Sequence, residues 1–134
     1  MSEANVRTVS DAAAAFNRGD LDAWIEYCTE DIDYRAVEGA PDDHGPLHGR
    51  DALRVYAHDW LDTFDDFRQD PVELIDAGDD KVVVVFRISG RAKLSGVETD
   101  LNYSALYTFR DGKIARGREY WTRDEALEAA ELSE

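Results

Sequence analysis

From Pro71 to Trp121 the chain reads as one strand after another with little between them. Val72 to Ile75, Val82 to Ile88, Leu101 to Phe109 and Ile114 to Trp121 are β-branched or aromatic runs, and Gly78-Asp79-Asp80, Leu94-Ser95-Gly96 and Asp111-Gly112 separate them as turn signals. Links this short join antiparallel neighbours, because parallel strands need a crossover of a dozen residues or more. The run Val82-Val83-Val84-Val85-Phe86 is apolar on both of its faces, so its strand has to be covered from both sides. Helices from the rest of the chain are expected on one face. A second copy of the chain is expected on the other, as a homodimer through the outer face of the sheet.

The first half supplies those helices. Val6, Val9, Ala13 and Phe16 recur at spacings of three and four, and Asn17-Arg18-Gly19 is a helix stop. Asp20 is placed to cap a second helix whose apolar stripe is Leu21, Trp24, Ile25 and Cys28. Cys28 on that stripe reads as a small buried hydrophobe. Asp31 to Glu38 reads as a short strand, and the loop Gly39 to Pro46 follows, stopped from regular structure by its Pro, Gly and Asp residues. Leu53, Tyr56, Ala57, Trp60, Leu61 and Phe64 share one face of a third helix. Thr122 to Glu125 has the pattern of a capping box and announces a last one. Helices first and a meander afterwards is an α+β pattern: a cone-shaped, curved antiparallel sheet wrapped around N-terminal helices, one domain over residues 1–134.

Charge and cysteine content narrow the functional classes. The 134 residues carry 30 Asp and Glu against 15 Lys and Arg, a formal net charge of −15. Such a surface repels the phosphate backbone that supplies most non-specific nucleic-acid affinity, and it disfavours anionic membranes equally. No stretch approaches the roughly 20 apolar residues of a membrane span, and the N-terminus lacks the pattern of a secretion signal. The single cysteine has no partner for a disulfide and cannot build a cysteine-based zinc site, so a cytoplasmic location is expected.

The order of certain short motifs carries a resemblance over nearly the whole chain. Asn17-Arg18-Gly19-Asp20-Leu21-Asp22 lies between two helices, Glu30-Asp31 enters a strand, and His48-Gly49-Arg50 enters the third helix. Phe109-Arg110-Asp111-Gly112-Lys113-Ile114 and Arg118-Glu119-Tyr120 follow in the last hairpin. Together they resemble the SnoaL-like branch of the nuclear transport factor 2-like, or ketosteroid isomerase-like, superfamily. The resemblance implies a cystatin-like α+β barrel and a small-molecule pocket. The fold hosts cyclases, isomerases and epoxide hydrolases as well as binding proteins, so function has to be argued from the site.

In the last strand, the period of two puts Ala115, Gly117, Glu119 and Trp121 on one face and Ile114, Arg116, Arg118 and Tyr120 on the other. If the first set faces inward, small Ala115 and Gly117 leave room for a ligand beside the Glu119 carboxylate. An apolar pocket raises a carboxyl pKa and suits it to proton transfer near neutral pH. The resemblance points to the same residue, since Glu119 aligns with the general acid/base of the family's polyketide cyclases. Other family positions are lost: the ketosteroid isomerase base falls on Ala36 and its oxyanion donors on Ala12 and Leu106, while the cyclase histidine falls on Ala105. Arg87 interrupts an apolar strand and needs a partner: Glu119, a substrate carboxylate, or solvent at the strand's end. Tyr103, Ala105 and Tyr107 share a strand face, and with Tyr56, Trp60 and Trp24 they are expected around a ligand that is small, apolar and cyclic.

Two functions are thereby expected, and neither needs a cofactor. Glu119 moves a proton on a cyclic or polyketide-like carbonyl compound with help from Arg87 and a tyrosine, or the pocket binds a ligand or assembles as a dimer without catalysis. An epoxide hydrolase would need a second inward carboxylate, for which Asp33 and Glu38 are candidates. His44 and His48 lie with Asp42 and Asp43 in a Pro- and Gly-containing loop without the helical spacing of a metal pair, so no metal site is read there.

Overall fold

Six strands form one curved, unclosed sheet with helices before and after it. In the computed structural model the described residues run from 2 to 132, with α1 Ser2–Asn17, α2 Leu21–Ile25, β1 Cys28–Arg35, β2 Leu47–His48, α3 Arg50–Thr63, β3 Phe64–Asp76, β4 Lys81–Ala92, β5 Glu98–Arg110, β6 Lys113–Tyr120 and α4 Arg123–Leu132. The strand order is β2-β1-β6-β5-β4-β3. The four strands after α3 make the expected antiparallel meander, and among the described residues β1 joins β6 as the one parallel pair. Among the described residues no helix is long and apolar enough to cross a membrane.

Capping starts the short helices where the sequence places them. The Asp20 carboxylate accepts from Ala23 N at 3.0 Å, satisfying a donor that the first turn leaves free. In α4, Thr122 N donates to the Glu125 carboxylate at 3.1 Å while Glu125 N donates to Thr122 Oγ at 3.2 Å, the reciprocal capping box. Boundaries move where sheet pairing competes with helix. Cys28 lies outside α2, because Ile114 N donates to Tyr27 O at 2.9 Å and draws the chain into β1 three residues earlier than expected. Phe64 likewise opens β3 instead of ending α3. The acidic stretch Asp65 to Asp70 has no strand composition, and it is held by pairing with β4 from Arg87 to Arg91.

The two faces of the sheet are covered differently. Val82, Val84, Phe86 and Ile88 of β4 and Tyr103, Ala105, Tyr107 and Phe109 of β5 point to the side where Val9, Ala13, Phe16, Leu53 and Ala57 of the helices pack. On the outer side, Val83 and Leu106 are covered by Ala126 and Ala130 of α4. The chain's own last helix thus provides part of the cover expected from a second subunit. Leu106 therefore faces away from the helices, so the oxyanion-donor position assigned to it carries no inward group.

A bulge changes the parity expected for β6. Phe109 is opposite Ile114 but Thr108 is opposite Arg116, which leaves Ala115 as the extra residue. Ile114 consequently packs in the inner core on the same side as Gly117 and Glu119, and it does not share the outward face of Arg116 and Arg118.

Candidate functional site

Between the inner face of the sheet and the helices lies a cavity of about 220 Å³. Trp24 of α2, Tyr56 and Trp60 of α3, Tyr103 and Tyr107 of β5 and Glu119 of β6 all line it. Leu101 and Trp121, 40% and 53% exposed, stand where it opens. Trp24 meets Phe16 edge-on at 5.4 Å, and Trp60 stacks on Phe64 at 5.4 Å, so both indoles serve the core with one side and the cavity with the other.

Glu119 is the acidic centre of this apolar chamber. Its partner is Tyr34, whose hydroxyl donates to Oε2. Burial pushes the Glu119 carboxyl up to about 8, against which the Tyr34 hydrogen bond pulls down, while the charge of Asp42 pushes in the same direction as burial. The carboxyl therefore holds its proton at neutral pH. Burial also drives the Tyr34, Tyr56, Tyr103 and Tyr107 hydroxyls up, with the Glu119 charge adding to it in each, so all four remain neutral donors. Gln69 Nε2 meets the Tyr103 hydroxyl, and Tyr56 donates to Asp42 Oδ2 at 2.6 Å.

Arg87 does not reach this site. It lies on the outward parity of β4 with Val83 and Val85, and its guanidinium grips Asp100 of β5 at 2.8 and 2.7 Å where both side chains are more than half exposed. Cross-strand pairing on one face satisfies the charge, and a residue on that face cannot contact Glu119 through the sheet. Two further expectations are corrected by packing. Ala105 sits directly opposite Glu119 in the ladder but is wholly buried, a floor beneath the carboxyl with no surface to offer a ligand. At Gly117 the space left by the missing side chain is already filled by the rings of Tyr34 and Tyr107.

Three polar cavity residues escaped the sequence reading. Tyr34 lies in β1 on the same parity as buried Ile32, and the signal for it was Gly117 on the neighbouring strand, whose vacancy admits its ring. Gln69 sits within an acidic stretch that reads as loop. Asp42 comes from the Gly39 to Pro46 loop, which is more than a solvated rim. Asp43 accepts from Gly39 N at 2.9 Å and Gly45 N at 3.0 Å, and Arg35 grips it at 3.2 and 3.0 Å. The Arg35 guanidinium and the two amides hold the Asp43 carboxyl well below the usual carboxylate range. The loop so fixed brings Val37, Pro41 and Asp42 to the cavity wall. Asp33, the other acid considered, turns outward to Arg118, 3.1 Å away, and Glu38 is exposed beside Arg35. Among the described residues no group of three His, Cys, Asp or Glu side chains converges in a way that would hold a metal ion. Cys28 is buried and its thiol is pushed up to about 12 by that burial, which leaves it without nucleophilic character at neutral pH.

Similar proteins agree with this architecture. The structure of Bal32a from a soil-derived mobile gene cassette superposes with a TM-score of 0.80 at 23% identity, over 96% of both chains. TerC co-crystallised with polyporic acid gives 0.77 at 22% identity, covering 96% of this chain and 98% of that one. A putative polyketide cyclase from Xanthomonas campestris pv. campestris gives 0.74 at 23% identity with the same coverage. At these identities the likeness is one of fold. No curated protein matches the chain. The family model of the SnoaL-like domain matches residues 9–117, from within α1 to within β6, and the chain belongs to the SnoaL-like family of the nuclear transport factor 2-like superfamily.

Proposed function

We propose that this protein binds an apolar cyclic or polyketide-like carbonyl compound in its cavity and moves a proton on it, with Glu119 as the acid/base. The observation that carries this reading is a carboxyl hydrogen-bonded by one tyrosine in a chamber walled mostly by aromatic and aliphatic side chains, where burial raises its pKa. Tyr34 engages Oε2, so Oε1 is free to present the acid proton to a substrate oxygen. A pKa near the working pH is what efficient proton transfer requires. The polyporic acid in TerC and the cyclase neighbour support a ring-bearing ligand. Tyrosine takes the assisting role first expected of Arg87, but from β1.

The test is α-proton exchange of 2-tetralone, a fused-ring ketone, followed by NMR in D2O. Wild-type protein is expected to accelerate it, and Glu119→Gln to lose about 10²–10⁴ of that acceleration. Equal rates in the two proteins would overturn the assignment. A second reading, ligand binding without catalysis, is favoured by the fact that the Tyr34, Tyr56 and Tyr103 hydroxyls already have partners. It predicts quenching of Trp24 and Trp60 fluorescence by the ketone with no exchange in any variant.

A homodimer belongs to the same proposal. Beyond the cover of α4, exposed Val72 and half-buried Val85 leave apolar surface on the outer face. Native mass spectrometry is expected to give a dimer, and a monomer alone would refute it.

A further inference from the structure

We propose that Asp42 is a second catalytic carboxylate, the base that takes a proton from carbon while Glu119 serves the carbonyl oxygen. The inference rests on the proton-transfer reading of Glu119 and completes it. A neutral acid can polarise a carbonyl, but enolisation also needs an acceptor for the proton on the adjacent carbon. Among the described residues Asp42 is the other carboxylate lining the cavity. It enters from the wall formed by the loop before α3, whereas Glu119 enters from β6, so the cavity receives its two carboxyls from different elements.

Its setting suits a base. Tyr56 donates to Oδ2 at 2.6 Å, which fixes the carboxylate and leaves Oδ1 without a protein hydrogen bond that the structure records. The neighbouring Asp43, tied to Arg35 and to both ends of the loop, fixes the loop that carries Asp42. The charge of Asp42 also helps to keep the proton on Glu119. The step balances within the site. Asp42 Oδ1 removes the α-proton and the C–H pair becomes the C=C bond, while the carbonyl π pair takes the Glu119 proton to give a neutral enol. Asp42 is then the acid and Glu119 the carboxylate, and delivery of the Asp42 proton to carbon, with return of the enol proton to Glu119, restores both. Delivery to a different carbon isomerises the substrate.

The experiment uses the same 2-tetralone exchange with the full chain, together with tryptophan quenching as a measure of binding. Asn at position 42 still accepts from Tyr56 through its amide oxygen, so Asp42→Asn keeps the wall intact and is expected to lose about 10²–10⁴ of the exchange acceleration with binding within about threefold of wild type. Asp42→Ala is expected to regain exchange as formate is added, since a small carboxylate replaces the missing base. Wild-type exchange in Asp42→Asn combined with its loss in Glu119→Gln would overturn the role of Asp42 and leave Glu119 in place. Undiminished exchange in Glu119→Gln would overturn the reading on which both depend, as would a bound ketone that exchanges no faster with wild type than in buffer. Loss in both Asp42 variants without formate rescue would reduce Asp42 to a positioning residue and refute the base.

Discussion

Glu119→Gln is expected to stabilise the fold at pH 8 and to change it little at pH 4. The folded carboxyl titrates at about 8, raised from 4.5 by burial in the cavity. Below 4.5 both folded and unfolded chains carry the proton, and Glu119 contributes its full share there. Between 4.5 and 8 the unfolded chain has released the proton and the folded chain retains it, so each pH unit costs the native state about 1.4 kcal/mol. By pH 8 the loss relative to a side chain that never ionises is on the order of 4 kcal/mol, a large fraction of a small domain's stability. Glutamine stays neutral and can accept from Tyr34 in the same place. Denaturant unfolding of both proteins at half-unit pH steps checks the prediction: the difference in stability should open from pH 4.5 upward and level off above 8. A constant difference would mean that Glu119 ionises normally in the native state.

Gly117→Ala is expected to be the most disruptive single-methyl change in β6. A Cβ there would stand 2.5 and 2.6 Å from Cδ2 and Cε2 of Tyr34 and 3.1 Å from Cε1 of Tyr107. Neither ring is a flexible tip that can bend aside: both are buried, and Tyr34 also meets Tyr56 at 6.2 Å. Overpacking of this kind costs roughly 1–3 kcal/mol. The Tyr34 ring has to leave its place, and the hydrogen bond to Glu119 goes with it. That bond is the influence lowering the Glu119 pKa, so the carboxyl should titrate above its value of about 8 in Gly117→Ala. Thermal melting and NMR titration of the carboxyl measure the two effects. Tyr34→Phe serves as the comparison, since it removes the hydroxyl without the clash and should raise the pKa with less loss of stability. An unshifted pKa in both variants would show that Tyr34 does not hold Glu119.

What the sequence discloses and what it hides follow from the range of the forces concerned. Alternation along β5 is local, so Tyr103 and Tyr107 could be placed facing the helices from sequence alone, and the structure puts them there. The spacing of Tyr56 and Trp60 along α3 is equally local. Arg87 shows the opposite case: alternation put it with Val83 and Val85, and the error lay in pairing it with Glu119 on the other face while Asp100 stood across the ladder on its own. Tyr34 and Glu119 are 85 residues apart and meet because β1 joins β6 in parallel, a pairing that no turn announces. Asp42 was legible only as part of an acidic loop, since its direction depends on the four hydrogen bonds that Asp43 accepts.

The bulge at Ala115 bears on how such a strand can change over evolutionary time. One inserted residue shifts the phase of alternation, so that Ile114 before it and Glu119 after it can both turn inward although five positions apart. In an unbroken strand an odd spacing puts one of the two outside. The leading segment can therefore serve as foundation and the trailing one as tool. Substitutions that retune the carboxyl end need not disturb how the hairpin sits on the helices, whereas loss of a single residue between them would force a choice between the foundation and the acid.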